Sequence, residues 1–386
     1  MKTSRPASGR AAAAVLRADR TGARGPEPRK RMRLVDWVRN GIAEGRLKPG
    51  APLSDRSWFE RRFGATRATV QAAFDQLARE GFTRAVRHVG TFVADPPPFA
   101  GRYLLALSGT AERPSDDMIG RALKEAAARV GERRGVRFEA LPVLDEGPDS
   151  ERYAQLLSDL GRQRWAGAFL RALSSNRGLR TIANVDHVPV SGIYADDPRA
   201  GGSLSVSLTP PVTCGLAGTC RCLFDKCLRD GCRSVLVLST AVGEDEEAVV
   251  RTLASRMGLR IGPNGYQTAW IDPGGLLQAR RLLRLALAPR ASDLPDAVVL
   301  LDDNFVEPFE TALFSNFGPS GASRFFVAAW GNLPALPRTR VPVTFSGLDL
   351  ERTLDSFVVW AEAVHAGVRD PERPRLFAFE RRVDGG

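Results

Sequence analysis

Apolar residues recur at helical spacing along the first ordered part of the chain. Leu34, Val38 and Ile42 fall three or four residues apart, which predicts an amphipathic helix that begins near residue 31. The breakers Lys-Pro-Gly at residues 48–50 come after that helix and separate it from the next one.

Residues 54–93 have the order of elements of a winged helix-turn-helix. A short apolar helix meets a turn at Gly64, a second amphipathic helix stops at Glu80 and Gly81, and a basic hairpin follows. The second helix of such a unit commonly enters the major groove of DNA. The apolar positions of the two helices are Trp58, Phe59, Phe63, Val70, Phe74 and Leu77, and we expect the last three to be core.

Composition divides the chain into four segments. Residues 1–30 mix Ser, Pro, Gly, Ala and Arg without periodicity, which predicts a disordered basic tail. The winged helix-turn-helix is expected over residues 31–95. The linker at residues 96–101 opens with three successive prolines, which hold a chain extended. Residues 102–386 form the remaining body.

The body alternates short apolar runs with helical patterns, which predicts parallel sheets covered by helices on both faces. About five strands precede about five more, so we expect two α/β lobes rather than one sheet. The predicted strands are residues 103–107, 138–144, 166–170, 188–194, 234–238, 266–271, 297–301, 325–329 and 343–346. The predicted helices are residues 118–130, 153–160, 216–228, 246–257, 276–287, 305–314 and 354–366.

The net charge of +11 is concentrated in the first quarter of the chain. Residues 1–95 hold 20 Lys and Arg against 9 Asp and Glu, whereas the other 291 residues are balanced at 35 of each. A neutral body with a strongly basic module is typical of nucleic-acid-binding proteins. No apolar run approaches the ~20 residues of a membrane span, so we expect a cytoplasmic protein with no membrane partner.

The sequence contains no motif that indicates catalysis, a cofactor or a metal site. It has no nucleophile elbow, no phosphate-binding loop and no His-Glu-x-x-His. The five cysteines lack the paired spacing of common zinc sites, so we expect them to pack as small apolar residues, with metal or redox sensing as the alternative. They are Cys214, Cys220, Cys222, Cys227 and Cys232.

The first module resembles the winged helix-turn-helix of GntR-type transcription regulators. The matching positions are Gly45 to Gly50, Ser54-Asp55-Arg56, Phe63-Gly64, Thr66 to Val70, Leu77, Glu80-Gly81 and Gly90 to Val93. Two positions depart from the family pattern. Leu53 runs straight into Ser54 where the family has an intervening proline, and His88 stands where the wing tip has a glycine.

The polar positions of this module are the candidate contacts with double-stranded operator DNA. Ser54 is predicted to cap a helix that starts at Asp55, and Thr66 to cap the recognition helix, so that its positive end faces DNA. Arg and Gln side chains can bond base edges in the major groove, and a basic wing can reach a minor groove. The candidates are Arg56, Thr66, Arg67, Thr69, Gln71, Arg87, His88 and Gly90.

The body resembles the ligand-binding domain of LacI-type regulators, which is similar to periplasmic sugar-binding proteins. The resemblance rests on element order and on residues 165–170, 188–190, 228–235, 295–298 and 302–304. It implies two lobes joined by three crossing strands, with a small-molecule effector bound between them. By this analogy the effector-binding candidates are Ser108, Arg171, Asn176, Tyr194, Asp303, Asn304 and Trp330.

The leading interpretation is a transcription regulator, acting as a homodimeric repressor gated by an effector of unknown identity. Residues 239–247 are acidic and lack the arginine that sugar-binding relatives commonly supply there, which keeps open an architectural or effector-independent DNA-binding regulator that has lost its ligand. The enzyme alternative is a body that holds pyridoxal phosphate on a lysine. After residue 100 only Lys124 and Lys226 are available for it.

Overall fold

The computed structural model describes most of the chain, with gaps in several loops. The described residues are 26–109, 117–146, 150–173, 179–183, 185–195, 216–240, 245–271, 273–288 and 294–385. The predicted effector residue Asn176, the cysteine Cys214 and residues 1–25 of the predicted tail lie outside them. Among the described residues, no helix combines the length and apolar composition needed to cross a bilayer.

Three helices and a hairpin form the winged module, residues 26–93. The elements are α1 (Pro26–Ala43), α2 (Arg56–Phe63), α3 (Arg67–Arg79), β1 (Thr83–Val86) and β2 (Gly90–Val93). The two strands are antiparallel, with Thr83 opposite Val93. Helix α1 begins five residues before the expected start, so residues 26–30 belong to the helix and not to the tail. Proline is tolerated in a first helical turn, and Lys30 pairs there with Glu27.

The core of the winged module is built from the apolar positions that the periodicity predicts. Leu34 and Val38 of α1, Phe59 of α2 and Val70 of α3 are almost fully buried in one cluster. The ring of Trp37 lies 5.5 Å from Trp58 and meets two phenylalanine rings of α2 edge-on. Such offset and edge contacts add about 0.5–1.5 kcal/mol beyond the buried area.

The first lobe of the body is a four-stranded parallel sheet with the strand order β4-β3-β5-β6. Its elements are β3 (Arg102–Leu107), α4 (Met118–Arg134), β4 (Arg137–Pro142), α5 (Glu151–Gly161), β5 (Gly167–Leu173), α6 (Leu179–Ala183) and β6 (Val190–Ala195). The central strand β3 is buried over residues 103–107, as expected for a parallel strand covered on both faces.

The second lobe is a six-stranded sheet with the order β12-β11-β10-β9-β7-β8. Its elements are α7 (Leu216–Arg229), β7 (Val235–Thr240), α8 (Glu246–Met257), β8 (Tyr266–Ala269), α9 (Pro273–Ala286), β9 (Ala297–Leu300), α10 (Val306–Phe317), β10 (Phe326–Leu333), β11 (Val343–Asp349) and β12 (Phe377–Val383), with short 3-10 turns at Asp303–Phe305 and Pro319–Ser323. The predicted two-lobed α/β class is confirmed, but the strands divide four to six.

The sequence does not predict the strand β12. Among the described strands of the second-lobe sheet, it is the one that runs antiparallel to its neighbour. It pairs with β11, with Val383 opposite Val343. Its charged residues, Glu-Arg-Arg at positions 380–382, interrupt the apolar run that a buried strand would show. An antiparallel edge strand on an otherwise parallel sheet needs little burial.

The chain passes between the lobes three times, after β6, after β11 and before β12. The helix α11 (Leu350–His365) follows β11 of the second lobe yet packs on α4 of the first. Phe357 of α11 meets the rings of Tyr103 and Phe169 in the first lobe. The two lobes therefore share part of one core.

A buried ion pair ties α1 to the end of α3, and its removal is expected to destabilise the winged module. The guanidinium of Arg39 is 2% exposed and donates through Nε to Glu80, 3.1 Å away, while Gln76 also donates to that carboxylate. Arg39→Ala leaves the Glu80 charge without its cation, which costs about 3–5 kcal/mol for a buried pair. Chemical denaturation monitored by tryptophan fluorescence measures the loss.

The matched control for that measurement is Arg33→Ala, because Arg33 is exposed on the same helix. Surface changes of this kind stay within about 0.5 kcal/mol. Equal midpoints for the two variants would show that the Arg39 pair contributes nothing to the module.

Candidate DNA-binding surface and interlobe cleft

The recognition helix α3 is capped as the sequence predicts. The hydroxyl of Thr66 accepts a hydrogen bond from the backbone N–H of Thr69 at 3.2 Å, and Thr66 has extended backbone geometry. Arg67 and Gln71 are exposed beyond the cap, and the Gln71 amide donates to Asp75 at 2.7 Å. The positive end of the helix and an exposed guanidinium therefore lie together on the surface.

Thr69 does not lie on this surface, contrary to the expectation. It is 8% exposed, and its hydroxyl lies 2.9 Å from that of Thr66 and donates to the Glu27 carboxylate of α1. The hydrogen bond from Thr69 lowers the pKa of Glu27, with help from Lys30. Thr69 thus fixes α3 against α1, because its side chain lies on the inward side of the first helical turn.

The cap of α2 is Asp55 and not Ser54. Its carboxylate accepts from the backbone N–H of Trp58 at 2.7 Å, and this bond is the main cause of its lowered pKa. The helix starts one residue later than expected, at Arg56. A carboxylate at this position also complements the helix dipole. The exposed guanidinium of Arg56 lies 5.4 Å from the Phe74 ring, so α2 and α3 jointly position it.

The wing is a hairpin with three residues between the paired positions Val86 and Gly90. His88 at its tip has φ +60°, in the left-handed region that favours glycine. The histidine therefore keeps the backbone shape that the family glycine provides. Arg87, His88 and Gly90 are all exposed, and Val89 between them is 70% exposed. The wing carries a cation to its tip.

The C-terminal end of α1 docks the winged module on the body. The Nδ1 atom of His365 lies 2.6 Å from the carbonyl oxygen of Ala43, and its Nε2 atom lies 2.7 Å from that of Ala166. Gln163 donates to Asn40 at 2.7 Å. One histidine of α11 therefore contacts the winged module and the first lobe at once.

Further contacts surround this docking point. His187 lies 2.7 Å from the Glu44 carboxylate. Phe99 of the linker is buried, with its ring 4.6 Å from His365 and 6.4 Å from Phe82 of the winged module. The linker is thus anchored midway and is not a free spacer.

The interlobe cleft brings together four of the predicted effector residues. Ser108 and Arg171 belong to the first lobe, and Asp303 and Asn304 to the second. The Asn304 side-chain oxygen accepts from the backbone N–H of Met118 at 3.3 Å, which joins the lobes directly. Trp330, on β10, is half-buried and packs against apolar clusters of both lobes. Tyr194 lies on β6, but its side chain is outside the described atoms.

Sequence reasoning missed three polar residues of this cleft, namely Asp117, Asp302 and Asn332. Arg171 donates to Asp117 at 2.5 Å and to Ser108 at 3.1 Å. Asn332 donates to Asp303 at 3.2 Å. Asp302 is next to the predicted residue Asp303 in the sequence, and this adjacency is a signal that could have identified it. Asp117 and Asn332 are distant along the chain, so only the folded structure shows that they lie in the cleft.

Burial sets the electrostatics of the second-lobe carboxylates. Burial raises the pKa of Asp302, and the hydrogen bonds from the backbone and side chain of Asn304 oppose this increase. Burial, and next the charge of Asp302, raise the pKa of Asp303 well above its usual value. The cleft is therefore a place where carboxylates resist ionisation, which is common at functional sites.

Comparison with known proteins identifies the winged module. Residues 30–93 match the family model "Bacterial regulatory proteins, gntR family". Over 62 residues the chain is 36% identical to the mannosyl-D-glycerate transport/metabolism system repressor MngR of Escherichia coli K12, and over 63 residues it is 32% identical to the transcriptional repressor NagR of Bacillus subtilis 168. Residues 30–93 are a GntR-type DNA-binding domain.

The match to these relatives does not extend beyond the GntR domain. It covers 16% of this chain and 26% of either relative, so the chain spans about a quarter of their length. The repressor activities in their names are properties of those proteins.

Solved structures resemble the chain over a longer stretch. An uncharacterized protein from Actinobacillus succinogenes has a TM-score of 0.50 at 14% identity and covers 74% of this chain and 98% of its own. A LacI family transcriptional regulator from Bifidobacterium animalis subsp. lactis has a TM-score of 0.49 at 14% identity, covering 74% of this chain and 97% of its own. The first of these likenesses supports the fold alone.

Three of the four described cysteines pack in the apolar core of the second lobe, and the fourth, Cys222, is partly exposed. Cys220, Cys227 and Cys232 are buried, and burial raises the pKa of Cys220 to about 12 and of Cys232 to about 11. Such thiols are poor nucleophiles and ligands. Within the described part of the chain, no three His, Cys, Asp or Glu side chains are grouped to hold a metal ion.

The two lysines of the enzyme alternative lie on helices of different lobes. Lys226 on α7 donates to Glu380 of β12, and Lys124 is exposed on α4.

A side chain at Gly45 is expected to separate the GntR domain from the body. Gly45 has φ +70°, and a Cβ atom there would lie 2.2 Å from the backbone nitrogen of Gly367. Gly45→Ala therefore forces the two backbones apart, and we expect faster cleavage of residues 94–101 in limited proteolysis. Gly135→Ala is the control, because Gly135 has a similar φ of +67° with open space around its Cβ position. Equal cleavage rates for the two variants would contradict the docking contact.

Asp303→Asn is expected to stabilise the chain increasingly as pH rises. Because the folded-state pKa of Asp303 is raised, its ionisation between the unfolded-state value, about 3.9, and the folded-state value weakens the fold. The difference in melting temperature, variant minus wild type, should grow by a few degrees from acidic to mildly alkaline buffer, since 1 kcal/mol corresponds to about 2–4 °C. If the difference in melting temperature measured by calorimetry does not change with pH, the prediction is wrong. The control is Asp384→Asn, because the Asp384 side chain is exposed.

Proposed function

We propose that this chain is a transcription regulator that binds operator DNA through its GntR domain and a small-molecule effector between its two lobes. The observation that carries the proposal is the capped, exposed start of α3, flanked by Arg56, Arg67 and the basic wing. This arrangement supports insertion of a helix into the major groove with the wing beside it. The place of action would be the cytoplasm, where such DNA is accessible.

The fold supports a route by which an effector would change DNA binding. Helix α1 contacts the recognition helix through Glu27 and Thr69, and it contacts the body through Asn40 and Ala43. A movement of α11 relative to the first lobe would shift the His365 contacts and thus α1. An effector would favour one arrangement in proportion to its difference in affinity for the two.

We further propose that the chain acts as a homodimeric repressor. Dimers match paired half-sites in an operator, and MngR and NagR are named as repressors. The second lobe exposes apolar side chains on α9, where Leu277 is 47% and Leu285 74% exposed, and on the segment before it, where Trp270 is 60% exposed. These residues support an interface with a second copy.

An effector-independent regulator is the second candidate function. The hydrogen bond between Asn304 and Met118 joins the lobes directly, and Arg171 donates to Asp117 and Ser108 within the protein. A closed body would then act only as a dimerisation scaffold. Thermal-shift screening separates the two candidates, because an effector raises the melting temperature by mass action.

Arg67→Ala is expected to weaken binding of the selected operator by about 1–3 kcal/mol, because a guanidinium that bonds a base edge contributes that much. The operator is obtained by selection of full-length protein on random duplexes, and affinity is measured by gel shift at fixed salt. Arg256→Ala removes an equally exposed charge from the body and is the control. Two chains per duplex would support the dimer. The regulator proposal fails if no duplex is preferred over random competitor.

A further inference from the structure

The described part of the interlobe cleft has many hydrogen-bond acceptors and few donors. Three carboxyl groups, those of Asp117, Asp302 and Asp303, lie near one another in it, and the guanidinium of Arg171 pairs with the first of them. Arg171 is already engaged, since one terminal nitrogen donates to Asp117 at 2.5 Å and the other to Ser108 at 3.1 Å. Asp302 is satisfied locally by the backbone and side chain of Asn304, at 2.9 and 2.6 Å. The Asp303 carboxylate has no cationic partner among the described residues.

A buried amide beside Asp303 points independently to a missing donor. Asn332 is 3% exposed, and its side-chain nitrogen donates to Asp303 Oδ2 at 3.2 Å. The oxygen of the same amide is buried and has no hydrogen-bond partner among the residues that the structure describes. Leaving a buried acceptor unsatisfied costs about 1–3 kcal/mol. The Asn332 oxygen is thus a second buried acceptor, on the side chain that donates to Asp303.

We propose that the cleft binds a cationic small molecule, an ammonium or amidinium compound, whose N–H groups donate to Asp303 and to the side-chain oxygen of Asn332. This inference rests on the proposed role of the cleft as an effector site. The cation would supply a donor to the Asn332 oxygen and a positive charge to Asp303, which neither has among the described residues.

Other ligand classes match this arrangement less well. A neutral polyol brings hydroxyls that both donate and accept, and it leaves the buried carboxylates without a counter-charge. An anion would face Asp302 and Asp303 at low dielectric, where like charges repel strongly. A buried carboxylate is stabilised when it is paired and hydrogen-bonded, which a cation achieves in one step.

Binding of a cation should release a proton from the cleft. In the free protein, burial and the charge of Asp302 favour the protonated form of Asp303. A cation favours the carboxylate, so the proton leaves to solvent as the ligand enters. Affinity therefore rises with pH until Asp303 is ionised in the free protein. Calorimetric titration in two buffers of different ionisation enthalpy counts the released proton.

The test uses full-length protein and probes built on a four-carbon chain that differ mainly in charge. The probes are 1,4-diaminobutane, agmatine, butane-1,4-diol and succinate, each followed by thermal shift and calorimetry. We expect a concentration-dependent increase in melting temperature with either cation and none with the diol or the dianion. Asp303→Asn should weaken cation binding at least tenfold and abolish the released proton. Asp384→Asn, an exposed carboxylate of β12's end, should leave both unchanged.

The inference is overturned if neither cation raises the melting temperature, if the diol or succinate raises it as much, or if Asp303→Asn retains wild-type affinity for the cations. Operator binding of ligand-free protein is measured in parallel. Operator binding without cation binding removes only the ligand class proposed here, whereas cation binding without any duplex preference removes the regulator function and leaves the cation site intact.

Discussion

Helix α1 is the element on which the arrangement of the whole chain depends, because its start contacts the recognition helix and its end contacts the body. At its start, Glu27 accepts from Thr69, and Lys30 donates to the carbonyl oxygen of Gly64 in the turn before the recognition helix. At its end, Ala43 and Glu44 contact histidines of the body. The 18-residue helix α1 therefore fixes the orientation of the recognition helix relative to the body.

Local signals in the sequence were sufficient for most elements and for the capped recognition helix. Helical periodicity places Leu34, Val38 and Ile42 in the core, and Thr66 caps α3 in the predicted way. The alternation of strands and helices predicts two lobes because each segment carries its own apolar pattern. The exposed positions of Arg56 and Arg67 follow from the same pattern.

The remaining features depend on contacts between residues that are distant along the chain. Thr69 is polar and sits in a first helical turn, so only its bond with Glu27, 42 residues earlier, reveals that it faces inward. Asn332 and Asp303 meet because β9 and β10 are neighbours in the sheet. The strand β12 is held by its backbone ladder with β11 and not by buried side chains, so it carries no periodic signal.

The anchoring of Phe99 limits how far the two units can separate. Eight residues join β2 to β3 and span at most about 26–29 Å when extended, and with Phe99 seated only the first five, about 16–18 Å, are free. One helical turn of DNA places successive half-sites about 34–36 Å apart. If two chains bind one duplex, the free residues 94–98 of either chain are thus shorter than one helical turn of DNA. The distance between the two bodies, rather than the length of this connection, would then determine the spacing of the half-sites.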